Sequence, residues 1–127
     1  MGDPCMIAIV DDDASVREAT KGLVRSLGYL AETFASAEDF LKSERVHDTW
    51  CLITDVQMPG MNGVELQGRL IAEGRHTPTI FMTAYPDDRL RARAMGAGAV
   101  GFLNKPFNDE NLIAYLDKAR EHSSLRP

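Results

Sequence analysis

The chain has 127 residues, of which 44% are hydrophobic and 26% charged, a length and composition that fit one globular domain. Its net charge of −5 argues against direct binding to nucleic acid, which needs a basic surface. The sequence shows neither a secretory signal nor the roughly 20 consecutive apolar residues of a membrane span, so we expect a cytoplasmic protein without membrane contact.

Strand-like and helix-like patterns alternate along the chain. Short apolar runs rich in β-branched residues predict strands that are fully buried in a parallel sheet. Two of these runs contain Cys5 and Cys51, which indicates small buried side chains in a reduced protein. The five predicted strands cover residues 5–10, 30–34, 49–54, 78–83 and 99–103.

Each predicted strand is followed by apolar residues at helical spacing, which predicts five helices. Polar residues suited to capping a helix stand before four of them: Asp13, Ser36, Asn62 and Asn108. The predicted helices cover residues 15–27, a short segment after Ser36, the segment from Asn62 to about Gly74, residues 87–98 and the segment after Asn108.

Five strands that alternate with five helices predict an α/β domain with a parallel sheet covered on both faces. The commonest topology at this size is the flavodoxin-like, doubly wound (βα)5 fold with strand order 2-1-3-4-5. We find no repeat or linker, so one domain over residues 1–127, with a core at about 5–122, is expected. Functional residues of such sheets follow the carboxyl ends of the strands.

Charged and polar side chains collect at those strand ends. Residues 11–13 are three aspartates after the first strand, Asp55 ends the third, Thr83 the fourth, and Lys105 follows the fifth. Clustered carboxylates repel one another unless a cation lies among them, and oxygen ligands favour Mg²⁺. A carboxylate beside Mg²⁺ can attack phosphorus, while an ammonium and a hydroxyl stabilise the transferred oxygens. We therefore predict phosphoryl transfer onto a side chain at this edge of the sheet.

Each of these residues also has an ordinary structural explanation. An aspartate after a strand is more often a helix cap or turn former than a catalytic group, and Asp13 is predicted to be such a cap. Thr83 alone fits a turn hydroxyl, and Lys105 alone fits a solvated surface lysine. Convergence of the whole set on one edge of the sheet is what favours a functional site.

Four motifs of the chain resemble those of the receiver domains of two-component response regulators. They are IVDDD, TDVQMPGMNG, MTA and FLNKPF, and the resemblance covers about residues 6–121. The segments SAEDFL, MPGMNGVEL and GAVGFLNKPF most resemble the FixJ-type subgroup. The resemblance implies a domain switched by phosphoaspartate, with a sensor histidine kinase or phosphotransfer protein as phosphodonor. Such a domain is not a turnover enzyme, because it catalyses only its own phosphorylation and autodephosphorylation.

The resemblance assigns the acidic residues to a phosphorylation and metal site. Asp55 matches the phosphoacceptor. Asp11 and Asp12 match the acidic pair that holds Mg²⁺ or Mn²⁺, with Asp12 as the more direct ligand. Gln57 occupies the position whose backbone carbonyl also binds the metal.

The remaining carried-over residues respond to the phosphoryl group. Lys105 matches the lysine that pairs with phosphate, and its bond to Pro106 is cis in the family. Thr83 matches the hydroxyl that moves to bond the phosphoryl group. Phe102 matches the switch aromatic that turns inward behind it, although Phe102 lacks the hydroxyl of the common tyrosine.

Three positions are expected to tune the lifetime of the phosphoryl group: Gln57, Ala84 and Tyr85. The resemblance places the surface for a downstream protein partner on the face formed by residues 87–116. A monomer or a phosphorylation-dependent homodimer is expected. Nothing resembling a DNA-binding output domain follows the last helix, so we expect a single-domain regulator, or else part of a longer one.

Other classes of protein remain as alternatives. A small phosphohydrolase of the haloacid dehalogenase type would use Asp11 as nucleophile, because residues 11–15 fit its D-x-D-x-[TS] pattern. An FMN-binding flavodoxin-like module is disfavoured, since three aspartates would repel the phosphate. A receiver fold used only as a docking surface is also disfavoured, because it gives the set of acids, threonine and lysine no role.

Overall fold

The computed structural model describes residues 6–124, in which a five-stranded parallel sheet alternates with helices. The sheet order is β2-β1-β3-β4-β5, so the predicted flavodoxin-like fold and strand order are confirmed. The strands are β1 (Met6–Val10), β2 (Leu30–Phe34), β3 (Thr49–Asp55), β4 (Thr79–Thr83) and β5 (Gly101–Asn104).

Five α-helices connect or follow the strands. They are α1 (Ala14–Ser26), α2 (Ala37–Lys42), α3 (Gly63–Ala72), α4 (Asp88–Gly96) and α5 (Asp109–Ser124). A 3-10 helix over Glu44–Asp48 was not predicted, because one short turn leaves no periodic pattern in the sequence. No helix within residues 6–124 has the length and apolar character needed to cross a bilayer.

The four predicted capping residues all accept hydrogen bonds from backbone N–H groups at helix starts. The distances are 2.9 Å at Asp13, 3.0 Å at Ser36, 2.8 Å at Asn62 and 2.9 Å at Asn108. Glu65 completes a capping box by accepting from the Asn62 backbone N–H at 2.9 Å. These contacts satisfy amides that have no partner inside the helix, and they fix where each helix begins.

The fifth strand was predicted over residues 99–103, and both of these boundaries were wrong. Gly98 has a positive φ of 99°, and the Ala99 N–H donates back to the Ala94 carbonyl at 3.0 Å. Ala99 therefore still belongs to the turn that closes α4. Val100 then enters the sheet region by donating to Thr79 O at 2.8 Å, and the strand proper runs from Gly101 to Asn104.

Alternating side chains of the strands cover the two faces of the sheet. Ile7 and Ile9 belong to a buried cluster with α1 and α5, whereas Ala8 and Val10 pack with α2 and α3. Cys51 is buried in the first cluster, as predicted, and Cys5 lies outside the described residues. The helices therefore cover both faces of the sheet and leave its carboxyl edge uncovered. Functional side chains of such sheets lie at this edge.

Candidate functional site

Three aspartates meet at the ends of β1 and β3, which are hydrogen-bonded neighbours in the sheet. Each of Asp11, Asp12 and Asp55 offers a carboxylate oxygen, and these atoms lie within 4.8 Å of one another. Asp11 is fully buried and Asp55 is 5% exposed, while Asp12 is exposed to solvent. The structure therefore forms the acidic cluster that the sequence predicted at this edge.

Lys105 reaches into the acidic cluster from the end of β5. Its Nζ lies 2.7 Å from Asp11 Oδ2 and 3.2 Å from Asp55 Oδ2. Asp11 also accepts a hydrogen bond from the Asp13 backbone N–H at 2.9 Å, which fixes its carboxylate. The peptide bond between Lys105 and Pro106 is cis. One ammonium is thus shared by two buried carboxylates on different strands.

The charges of the cluster are only partly balanced. Burial and then the negative charge of Asp11 raise the pKa of Asp55, although Lys105 acts in the opposite direction. Burial alone would lower the pKa of Lys105, but its hydrogen bond to Asp11 and the charges of Asp11 and Asp55 outweigh it and raise that pKa. Lys105 is therefore an ammonium at neutral pH, and the Asp55 carboxylate carries an unfavourable charge.

The donor set suits a hard divalent cation. All three side chains are carboxylates, and hard cations such as Mg²⁺ prefer oxygen ligands. A cation among them would offset the repulsion that raises the Asp55 pKa. The residues present therefore fit the metal that the sequence predicted, while the role of the Gln57 carbonyl stays a prediction.

Thr83 is buried at the end of β4 and takes part in a hydrogen-bond network with two loops. Its hydroxyl donates to Gln57 Oε1 at 2.6 Å and accepts from the Tyr85 backbone N–H at 3.0 Å. Gln57 Nε2 in turn donates to the Tyr85 carbonyl at 3.0 Å. The Tyr85 side chain, by contrast, projects into solvent and is 73% exposed. Sequence reasoning placed Gln57 beside the metal but did not foresee this contact with Thr83.

Phe102 lies partly buried on the strand next to Thr83. Its ring stacks on Phe81 with centroids 5.0 Å apart and an interplanar angle of 22°. A cavity of about 160 Å³ is lined by both Thr83 and Phe102. The predicted switch residues are therefore neighbours that line the same cavity.

Two residues that support the loop after β3 were not predicted to do so from the sequence. A Cβ on Gly63 would lie 2.2 Å from the Asp55 backbone oxygen, so α3 approaches Asp55 more closely than any side chain allows. Glu38 of α2 accepts a hydrogen bond from the Met61 backbone N–H at 2.9 Å, which lowers the pKa of Glu38. Gly63 lies in the motif TDVQMPGMNG, but neither its close approach to Asp55 nor the contact of Glu38 is signalled by a local pattern.

Asp13 does not belong to the carboxylate cluster that contains Asp11 and Asp12. Its Oδ1 accepts from the backbone N–H and the hydroxyl of Ser15, at 2.9 and 2.7 Å, and these contacts lower the pKa of Asp13. Asp13 is therefore the cap of α1, as predicted. This position counts against the dehalogenase alternative, in which Asp13 would face the reacting group together with Asp11.

A doubly wound sheet with an acidic triad and a lysine at its carboxyl edge is typical of a phosphoaspartate site. Residues 7–117 match the family described as response regulator receiver domain. The chain belongs to that family.

Named relatives include members of the FixJ-type subgroup. The chain is 41% identical over 114 residues to the response regulator protein TodT of Pseudomonas putida, an alignment that covers 90% of this chain and 50% of TodT. It is 40% identical over 114 residues to the transcriptional regulatory protein FixJ of Azorhizobium caulinodans, covering 90% and 54% of the two chains. The solved structure of full-length FixJ from B. japonicum superimposes with a TM-score of 0.85 at 34% identity, covering 98% and 61%. The chain spans about half the length of the curated relatives it matches.

Proposed function

We propose that this chain is a cytoplasmic, phosphoaspartate-switched receiver domain. Asp55 accepts a phosphoryl group from a phosphohistidine on a sensor histidine kinase or a phosphotransfer protein. The observation that carries this proposal is the position of Lys105, whose Nζ lies 3.2 Å from Asp55 and 2.7 Å from Asp11. An ammonium held beside a buried carboxylate can stabilise the charge of a phosphoryl group arriving there.

The transfer is a direct displacement at phosphorus. An Asp55 carboxylate oxygen forms the O–P bond while the N–P bond of the donor breaks, and that electron pair returns to the imidazole nitrogen. Asp11, Asp12, Asp55 and the backbone carbonyl of Gln57 would hold Mg²⁺ or Mn²⁺, which supplies positive charge next to the transferred oxygens. Lys105 donates to the phosphoryl oxygens and orients them.

The domain acts as a signalling module rather than a turnover enzyme. Water later hydrolyses the acyl phosphate and regenerates the Asp55 carboxylate. Gln57, Ala84 and Tyr85 follow β3 and β4 at the rim of the site, and we propose that they set how long the phosphoryl group persists. The exposed side chain of Tyr85 leaves the rim open in the unphosphorylated state.

Phosphorylation is transmitted through Thr83 and Phe102. Thr83 moves to donate to the phosphoryl group, and Phe102 turns inward behind it. The cavity of about 160 Å³ that both residues line supports this movement. The face formed by residues 87–116 then changes, and with it the affinity for a downstream protein or a second copy of the chain.

Phosphorylation by acetyl phosphate and Mg²⁺ tests the proposal directly. We expect intact mass to show one added phosphoryl group that hydroxylamine removes, as it does from an acyl phosphate. Asp55→Asn should abolish the label, whereas Asp13→Asn should keep it because Asp13 caps α1 outside the cluster. A label that persists in Asp55→Asn contradicts the assignment. Transfer from autophosphorylated sensor kinases to the same residue then tests the donor.

A further inference from the structure

The side-chain amide of Gln57 binds the loop after β4 through two hydrogen bonds of opposite polarity. Its Nε2 donates to the Tyr85 carbonyl at 3.0 Å, and its Oε1 accepts from Thr83 Oγ1 at 2.6 Å. A carbonyl can only accept, so Tyr85 determines which end of the amide carries the N–H groups. The oxygen of the amide therefore faces Thr83, and the proton of the Thr83 hydroxyl points at it.

The Thr83 hydroxyl is fully engaged in this arrangement. It donates to Gln57 and accepts from the Tyr85 N–H at 3.0 Å, and Thr83 is only 2% exposed. A hydroxyl has one proton, so while it donates to Gln57 it does not donate to a phosphoryl group on Asp55. The movement of Thr83 under the proposed function therefore requires that the Gln57–Thr83 hydrogen bond breaks.

We propose that Gln57 is a positioning residue that holds Thr83 in the resting state and thereby opposes the switch. This inference rests on the proposed role of Asp55, and it gives the Gln57 side chain a task separate from its backbone carbonyl and from phosphate lifetime. One neutral hydrogen bond shifts an equilibrium by about two- to tenfold. A ligand that selects the switched state should bind more tightly by that factor once the bond is removed.

Gln57→Met tests this role, because methionine keeps the length of the side chain but makes neither hydrogen bond. The probe is beryllofluoride with Mg²⁺, a phosphoryl mimic that is not hydrolysed, so phosphate lifetime does not affect the result. Binding is followed by NMR of the backbone amides of residues 83–85. We expect the Kd for beryllofluoride to fall by about two- to tenfold. Beryllofluoride is titrated at saturating Mg²⁺, so that a change in metal affinity does not enter its Kd.

The same substitution in a Thr83→Val background gives the matched control. Valine has nearly the shape of threonine but no hydroxyl, so Gln57→Met should bring no further gain there. An unchanged Kd in the Thr83 background, or an equal gain in both backgrounds, would overturn this role of Gln57. If the wild type neither binds beryllofluoride nor takes a label from acetyl phosphate, the proposed function itself fails.

Discussion

The folded protein makes the ionised form of the Asp55 carboxyl unfavourable. Burial and the nearby Asp11 raise its pKa even though Lys105 lies 3.2 Å away. The unfolded chain therefore releases this proton at a lower pH than the folded chain does. Between the two pKa values, the free energy of unfolding falls as pH rises, and the loss is complete above the folded pKa.

Asp55→Asn is therefore expected to stabilise the metal-free protein at pH 7. The free energy of unfolding should rise by about 0.5–2 kcal/mol, as is common for stabilising substitutions. The gain should vanish below about pH 3.9, where the unfolded carboxyl is protonated too. Urea denaturation at the two pH values measures both. Asp13→Asn is the control with opposite sign, because hydrogen bonds from Ser15 lower the pKa of Asp13. Lower stability of Asp55→Asn at pH 7 would contradict this account.

Gly63 has to lack a side chain for α3 to pack against the Asp55 backbone as it does. Gly63→Ala would place a Cβ 2.2 Å from the Asp55 backbone oxygen, so the loop after β3 has to move. We expect a loss of about 1–3 kcal/mol in the free energy of unfolding, as for overpacked cores. Phosphorylation by acetyl phosphate should also slow. Gly68→Ala in the same helix meets nothing within 4 Å and should instead stabilise by about 0.5–1 kcal/mol. Equal effects of the two substitutions would refute the steric explanation.

At the scale of secondary structure, capping residues in the sequence predicted where helices begin, whereas a backbone hydrogen bond in a turn was not predicted. The caps Asp13, Asn62 and Asn108 mark helix starts because capping depends on residues a few positions apart. The start of β5 was misplaced, since the turn that closes α4 uses a hydrogen bond from Ala99 that apolar composition does not reveal.

The candidate site, too, was predicted only in part. Asp11, Asp55 and Lys105 could be placed together because the topology sends strand ends to one edge. The hydrogen bond between Gln57 and Thr83 could not be predicted, because it depends on the rotamers of two side chains, one in the loop after β3 and one at the end of β4, that lie 26 positions apart.

The contact between α2 and the loop after β3 gives a prediction at this scale. Glu38 of α2 accepts from the Met61 N–H at 2.9 Å, so Glu38→Ala should leave that amide open to solvent. We expect hydrogen exchange at Met61 to become about tenfold faster or more, because local opening no longer breaks this bond. Asp39→Asn, an exposed change in the same helix, should leave the rate unaltered. Unchanged exchange in Glu38→Ala would show that the loop is held by other contacts.

At the scale of the whole molecule, metal binding and folding should be coupled. The acidic triad is assembled only in the folded chain, so Mg²⁺ should stabilise the native state by about 2.7 kcal/mol at a concentration 100 times its Kd. Thermal denaturation with Mg²⁺ and with EDTA, at matched ionic strength, measures the shift. Asp12→Asn should reduce it without disturbing the core, because Asp12 is exposed. An identical Mg²⁺ effect in that variant would place the ion elsewhere.

The hydrogen bond between Lys105 and Asp11 joins positions 94 residues apart in the sequence. It can form only when β5, the last strand of the sheet, has docked against β4. Because a domain generally folds as a unit, Asp11 gains its ammonium only once β5 has been made and has folded with the earlier strands. A chain that stops before residue 105 therefore lacks the cation that Asp11 and Asp55 share.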